Sequence, residues 1–118
     1  MKKPILIINC LLLFCSCTNV SQEDLIDEPQ LISIATYTEN VKTIIDNNCI
    51  LCHSNPPQNG APMSLLTYEN VKEAVENRDL IARISSDDLG FSMPFGGPKL
   101  PQNLIDIVIQ WEADGLLE

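Results

Sequence analysis

The chain has 118 residues, and its 16 acidic residues outnumber seven basic ones to give a formal net charge of −9. This length suits one small domain rather than several. The negative charge argues against nucleic acid as a partner, because phosphate backbones are bound by clustered lysine and arginine side chains.

Residues 1–16 have the pattern of a bacterial lipoprotein signal peptide. Two lysines near the start precede the apolar run PILIINCLLLF, which is shorter than the roughly 20 apolar residues of a transmembrane helix. The next residues, CSCTN, resemble a lipoprotein processing site, in which the residue after the cut is a cysteine that carries the lipid. Cys17 is the candidate, because Ser16 before it is small. We therefore expect secretion and a lipid anchor at Cys17 on the periplasmic or cell-surface side, with cleavage but no lipidation as the alternative.

Residues 17–35 are predicted to form an acidic, flexible tether, because they are polar and interrupted by Pro29. Removal of the leader takes two lysines away and leaves five basic against 16 acidic residues, a formal charge of −11. Such a charge favours a partner protein with a basic docking patch, since complementary charge speeds association. Plain solubility is the alternative explanation.

The folded domain is predicted to span residues 36–118 and to begin with a helix. Thr36 and Glu39 have the spacing of a capping box. Three apolar residues then fall on one helical face: Val41, Ile44 and Ile45. We expect this helix to continue through Cys49 and Cys52.

Three further helices are predicted, separated by loops rich in proline and glycine. Thr67 should cap the helix YENVKEAVEN, RDLIARIS should form a short helix, and Pro101 should open the helix QNLIDIVIQWEAD, which ends at Gly115. The segments NPPQNGAPM and SDDLGFSMPFGGPKL are predicted loops. The sequence lacks strand patterns, so the predicted fold is all-α, with four or so short helices and long loops. Because such a chain buries little core, we expect a bound group to fill its centre.

The most informative motif is CILCH, in which Cys49 and Cys52 are followed by His53, the single histidine of the chain. A redox dithiol usually opens a helix that follows a strand, and no strand is predicted here. A zinc site needs four ligands, yet Cys17 is the only other cysteine left after processing. A disulfide between the two cysteines is a further alternative.

Haem attachment accounts for all three residues of the motif. On a helix, positions i and i+3 share a face, so both thiols can reach the two vinyl groups of one porphyrin while the adjacent imidazole binds the iron. The pattern C-x-x-C-H is the signature of c-type haem attachment, and secretion agrees with it because such haem is attached outside the cytoplasm. We therefore predict one covalent haem c at Cys49 and Cys52, with His53 as an iron ligand.

A methionine is the natural second ligand for such an iron. Met93 lies in the loop GFSMPFGGPKLP, where Pro94 fixes the following turn and the glycines let the backbone pass close to the ring. Met63 lies in the loop that leaves the His53 side and is expected to pack against the haem edge. We predict Met93 as the second ligand, with Met63 or an open iron position as the alternatives.

Together with the helix before the cysteines, CILCH and SMPFGGPKLPQNLIDIVIQWEADG resemble class I cytochrome c, in particular the small single-haem domains of bacterial lipoproteins. The resemblance covers residues 36–116. It implies a cytochrome c-like fold around the haem, with Trp111 where the first and last helices cross. It also implies a loop carbonyl, of Pro57 or Pro62, that accepts a hydrogen bond from the His53 imidazole.

The resemblance implies an electron carrier rather than an enzyme, because two axial ligands leave the iron no position for a substrate. Its partners would be redox proteins that meet it outside the cytoplasm. A haem-based sensor or a peroxidase-like enzyme with an open sixth iron position is the main alternative. An adaptor in which the haem only stabilises the fold is another.

Overall fold

Four short helices joined by long loops form the part of the chain that the computed structural model describes, residues 34–118. A π-helical turn, Tyr37–Val41, leads directly into α1, Lys42–Asn48; α2 spans Tyr68–Asn77, α3 spans Leu80–Ser85 and α4 spans Gln102–Ala113. This range contains no strand, so the all-α prediction is confirmed for it. Within it, no helix is both long and apolar enough to cross a membrane. The predicted signal peptide, the lipid site at Cys17 and the tether up to residue 33 lie outside the described residues.

The predicted caps begin the first helical segment and α2. The Thr36 hydroxyl accepts a hydrogen bond from the Glu39 N–H at 3.3 Å, and the Thr67 hydroxyl accepts one from the Asn70 N–H at 3.3 Å. Each cap satisfies one of the N–H groups that a helix start leaves unpaired. The capping box at Thr36 is incomplete, because the Thr36 N–H donates to the Asn40 side chain at 2.9 Å rather than to the Glu39 side chain.

The first helix is shorter than predicted, because α1 ends at Asn48 instead of continuing through Cys52. The last helical bond runs from the Cys49 N–H to the Ile45 carbonyl at 2.8 Å, and the Asn48 side chain also donates to the Ile44 carbonyl at 2.7 Å. The Cys49 carbonyl then accepts from both the Cys52 N–H, at 3.2 Å, and the His53 N–H, at 3.0 Å. The CILCH motif therefore lies in a tight turn directly after α1.

The last helix, α4, is capped at its carboxyl end by Gly115, as predicted. The Gly115 N–H donates to the Glu112 carbonyl at 3.0 Å and the Leu116 N–H to the Trp111 carbonyl at 2.9 Å, which is the hydrogen-bond pattern of a Schellman cap. Gly115 has a φ of +92°, a conformation that glycine adopts without steric cost. Pro101 is the N-cap residue of α4, so it lies just outside the first helical turn in which it was predicted.

Three aromatic side chains, which we call the aromatic end, pack where the first helical segment, α2 and α4 meet. The ring centroids of Tyr37, Tyr68 and Trp111 lie 5.6 to 6.3 Å apart, a spacing typical of attractive aromatic pairs. Trp111 thus lies at the contact between the first and last helices, as predicted. The Trp111 indole N–H donates to the Leu117 carbonyl, and the Tyr68 hydroxyl to the Leu116 carbonyl, each at 2.7 Å.

The same end joins the start and the finish of the described chain. The Ala35 N–H donates to the Asp114 carboxylate at 2.7 Å, and the Tyr37 N–H donates to the Leu117 carbonyl at 2.8 Å. The first helical face is buried beside them, as predicted; its residues are Val41, Ile44 and Ile45. The buried core includes this contact between α4 and the first helical segment and extends from it to α2 and α3.

Candidate functional site

A partly open cavity of about 1000 Å³ is lined by the CILCH turn, the loop of residues 59–65, α3 and the loop of residues 93–100. Its volume lies at the upper end of the range of roughly 300–1,000 Å³ that is usual for ligand sites. Most of its lining is apolar, including Leu51, Met63, Leu65, Leu80, Ile84, Met93, Phe95 and Leu100. The cavity can therefore take a large and largely apolar group.

All four residues predicted to bind a cofactor line this one cavity: Cys49, Cys52, His53 and Met93. The first three are placed by the end of α1 and the turn after it, whereas Met93 comes from the loop before α4. Met63, the alternative ligand, lines the cavity as well. The structure thus brings together two parts of the chain that the sequence separates by α2 and α3.

The His53 imidazole is oriented by a main-chain acceptor. Its Nδ1 lies 2.8 Å from the Met63 carbonyl oxygen. Because a carbonyl can only accept, Nδ1 carries a proton, and in the neutral ring the lone pair is on Nε2. Histidines that bind metals are commonly fixed in this way through their other ring nitrogen. The ring is therefore in the tautomer that a metal ligand needs.

The acceptor differs from the residues named in the sequence analysis, because it belongs to Met63 rather than to Pro57 or Pro62. The Leu65 N–H donates to the His53 carbonyl at 2.9 Å. This second bond fixes the position of the returning loop relative to the motif, so that the Met63 carbonyl faces the imidazole. The residue types in the loop do not show which of its carbonyls will face the His53 imidazole.

The two cysteines are free thiols, so the disulfide alternative does not describe this structure. Burial raises the pKa of the Cys49 thiol to about 11, which keeps it protonated and neutral at pH 7. The thiolate is the form that attacks disulfides and binds zinc. Among residues 34–118, His, Cys, Asp and Glu side chains form no group of three that could hold a metal ion.

Met93 is attached to α3 rather than to the wall that carries His53. Its N–H donates to the Arg83 carbonyl at 3.0 Å, and the preceding Ser92 is buried. Met63 is tied to the His53 ring on the Nδ1 side, away from Nε2. The main chains of the two methionines are therefore held by different walls of the cavity: Met63 by the motif that carries His53, and Met93 by α3.

Two arginines at the cavity were not singled out by the sequence analysis. Arg78 lies just before α3 and Arg83 lies within it, and both contribute to the lining of the cavity. Arg78 Nε lies 3.1 Å from a Glu73 carboxylate oxygen, whereas Arg83 faces the loop that carries Met93. They are two of only five basic residues after the predicted cleavage, and that scarcity is the signal that could have drawn attention to them.

Comparison of the chain with protein-family models, with curated proteins and with solved structures found no match in any of the three. The functional argument consequently depends on the cavity and on the side chains that line it.

Proposed function

We propose that this protein is an electron carrier with one covalently attached c-type haem and a cytochrome c-like fold. The observation that carries the proposal is the convergence of Cys49, Cys52, His53 and Met93 on one cavity of about 1000 Å³. These are the residue types that a c-type haem requires, namely two thiols, an imidazole and a thioether. Among the described residues, no comparable set of side chains supports the alternatives of a zinc site or a redox dithiol.

The side chains fit the roles that such a group would give them. Cys49 and Cys52 would hold the porphyrin through thioether bonds, His53 would bind the iron through Nε2, and Met93 would bind it through its sulfur. The tautomer set by the Met63 carbonyl leaves Nε2 free for this purpose. The apolar walls would exclude water from the bound group, and α3 would hold the Met93 wall in place.

When bound, the haem would supply one-electron chemistry, and the chain would supply its ligation and burial. His53 and Met93 would both hold the iron, and this pair of ligand types favours a raised reduction potential. His53 is the only histidine of the chain, so no second imidazole is available for acid–base work on peroxide. Electron transfer is therefore favoured over peroxidase-like activity.

Location and partners complete the proposal. We infer a lipid anchor at Cys17 that holds the domain at a membrane, on the periplasmic or cell-surface side. The formal charge of −11 that remains after removal of residues 1–16 favours redox partners with basic docking patches. Replacement of Cys17 by serine should then release the full-length product from the membrane fraction into the soluble one.

The test is production of the full chain in a bacterial host that attaches c-type haem, followed by mass and visible spectra. We expect the mass of one haem to be added and a six-coordinate spectrum. The ferrous wild-type protein should resist carbon monoxide, and Met93→Ala should bind it at once because the sixth position is then open. Met63→Ala is the matched control, and it should resist carbon monoxide as the wild type does.

Two outcomes would contradict parts of this proposal. A colourless product with free thiols at Cys49 and Cys52 would remove the haem assignment altogether. A coloured wild-type protein that binds carbon monoxide immediately would instead favour a sensor or an enzyme with an open iron position. Carbon monoxide binding by Met63→Ala but not by Met93→Ala would show that Met63, and not Met93, is the second iron ligand.

A further inference from the structure

The loop that carries Met93 is held to α3 by both the main chain and the side chain of Arg83. The Arg83 carbonyl accepts from the Met93 N–H at 3.0 Å. The Arg83 guanidinium donates to the Phe91 carbonyl at 3.4 Å and lies over the Phe91 ring, with its central carbon 4.4 Å from the ring centroid. One residue of α3 therefore contacts the loop two residues before Met93 and at Met93 itself.

The guanidinium is fixed in this position from its other side. Its Nε donates to the Arg78 carbonyl at 3.3 Å, which lies just before α3. Each hydrogen bond is long, but both come from one planar group that also stacks on an aromatic ring. A lysine could supply the charge, yet it could not reproduce the two directed donors and the stack.

Beyond Met93, the loop is held by the ion pair of Lys99 with the exposed Asp87, at 3.0 Å, and by the turn bond from the Gly97 N–H to the Pro94 carbonyl, at 3.1 Å. Residues 95–99 are all exposed, and Phe95 is 75% exposed although it lines the cavity. The next buried side chain along the chain is Leu100. Before Met93, by contrast, the Ser92 N–H donates to the Asp88 carbonyl at 2.7 Å. The anchoring of Met93 is thus concentrated on its α3 side, where Arg83 lies.

We propose that Arg83 is a positioning residue that keeps the Met93 sulfur in place as an iron ligand and so keeps small competing ligands out. This inference rests on the proposed haem function. A competing ligand binds only when Met93 has moved away, so its apparent affinity rises with the population of that open state. Loosening the Arg83–Phe91 contact raises that population.

Arg78 provides a matched control for the charge of Arg83. Both arginines line the cavity, but the Arg78 side chain pairs with Glu73. Replacement by lysine keeps the positive charge at either position, so a change of charge would not distinguish the two variants. Only the Arg83 variant should release Met93.

The experiment is titration of the ferric, haem-loaded full chain with imidazole, read out by its absorption spectrum. We expect Arg83→Lys to bind imidazole about tenfold more tightly than the wild type, a ratio that corresponds to about 1.4 kcal/mol. Its absorption from the methionine–iron bond should weaken, and the Met93 amide should exchange its hydrogen faster. Arg78→Lys should match the wild type in all three measurements.

Phe91→Leu is a second route to the same contact, because it removes the stacked ring and leaves Arg83 intact. It should shift imidazole affinity in the same direction as Arg83→Lys, and it keeps the proposal testable if that variant does not accumulate. Unchanged imidazole affinity in both variants would overturn the inference while leaving the haem assignment intact. A lower unfolding midpoint without a change in affinity would show that Arg83 only stabilises the fold. A wild-type protein without haem would remove the proposed function and this inference together.

Discussion

At the aromatic end, Trp111 is fully buried and Tyr37 is 4% exposed, whereas burial around the cavity is uneven. Leu65 and Ile84 in its lining are buried, and other lining residues are half-buried or exposed. Leu51 and Phe95 line that cavity and are 83% and 75% exposed. The indole N–H at the aromatic end has a partner within the chain. His53 Nε2 at the cavity is left free by its tautomer.

This difference shows which part of the molecule the chain completes by itself. The aromatic end fills its volume with its own side chains and pairs the Trp111 and Tyr68 polar groups within the chain, although not the Tyr37 hydroxyl, so its role is stability. The cavity gathers the four chemically distinctive side chains of the domain along apolar walls. Substitutions at the first region should change the free energy of unfolding, and substitutions at the second should change what the protein binds.

The largest effect is expected from removal of both thiols at the cavity. The double variant Cys49→Ala, Cys52→Ala should lose covalent haem completely, because no thioether can form, and denaturing mass spectrometry should show the bare polypeptide. Leu51→Ala changes one of the two residues between them, which is 83% exposed, and should keep the haem. Equal haem content in the double variant and in Leu51→Ala would contradict the attachment site.

A large loss of stability, without loss of the site, is expected at the aromatic end. Trp111→Ala deletes a fully buried ring and should lower the free energy of unfolding by about 3–5 kcal/mol in denaturant titrations. Ile109→Ala lies on the same helix at a position that is 41% exposed and should cost less than about 1 kcal/mol. If the two variants had similar stability, the aromatic end would not be the stabilising region that its burial indicates.

The smallest changes in the free energy of unfolding are expected from removal of either tyrosine hydroxyl at the aromatic end. The Tyr68 hydroxyl donates to the Leu116 carbonyl, so Tyr68→Phe should cost about 0.5–1.5 kcal/mol. The Tyr37 hydroxyl is buried and has no partner among the described residues. Tyr37→Phe removes an unpaired polar group and should leave stability unchanged or raise it by up to about 1 kcal/mol.

The same tyrosine gives a pH dependence with a defined sign. Desolvation by burial raises the pKa of Tyr37 above its ordinary value, so the native state holds the phenolic proton more tightly than the unfolded state. Its contribution to stability is present below about pH 10 and is lost as the pH rises through the native pKa. Tyr37→Phe should therefore lose less stability than the wild type above pH 10, and a steeper alkaline loss in the variant would contradict this assignment.

The sequence predicted best those features that short stretches of chain determine. Helix α2 has the predicted bounds, Tyr68–Asn77, because the Thr67 cap needs only a neighbour three residues away. Gly115 ends α4 for an equally local reason. The end of α1 was predicted wrongly, because the periodic pattern does not reveal the turn in which the Cys52 N–H donates to the Cys49 carbonyl.

Contacts between distant parts of the chain were predicted less well. The sequence indicated that a carbonyl should hold His53, but the register of the loop decides that it belongs to Met63. The tie between Arg83 and the Met93 loop was not predicted, because it depends on how α3 lies against residues 91–93. Residue type thus identified the candidate ligands, while the residues that orient them depend on tertiary packing.

The paired ends of the described chain have a mechanical consequence. A pull applied through the segment that leads into Ala35 acts first on its bond to Asp114 and on the bond between Tyr37 and Leu117. Those bonds join the chain ends to the region around Trp111, which does not line the cavity. A load that reaches the domain from its amino-terminal side would therefore be taken up there first, before it strained the walls around His53 and Met93.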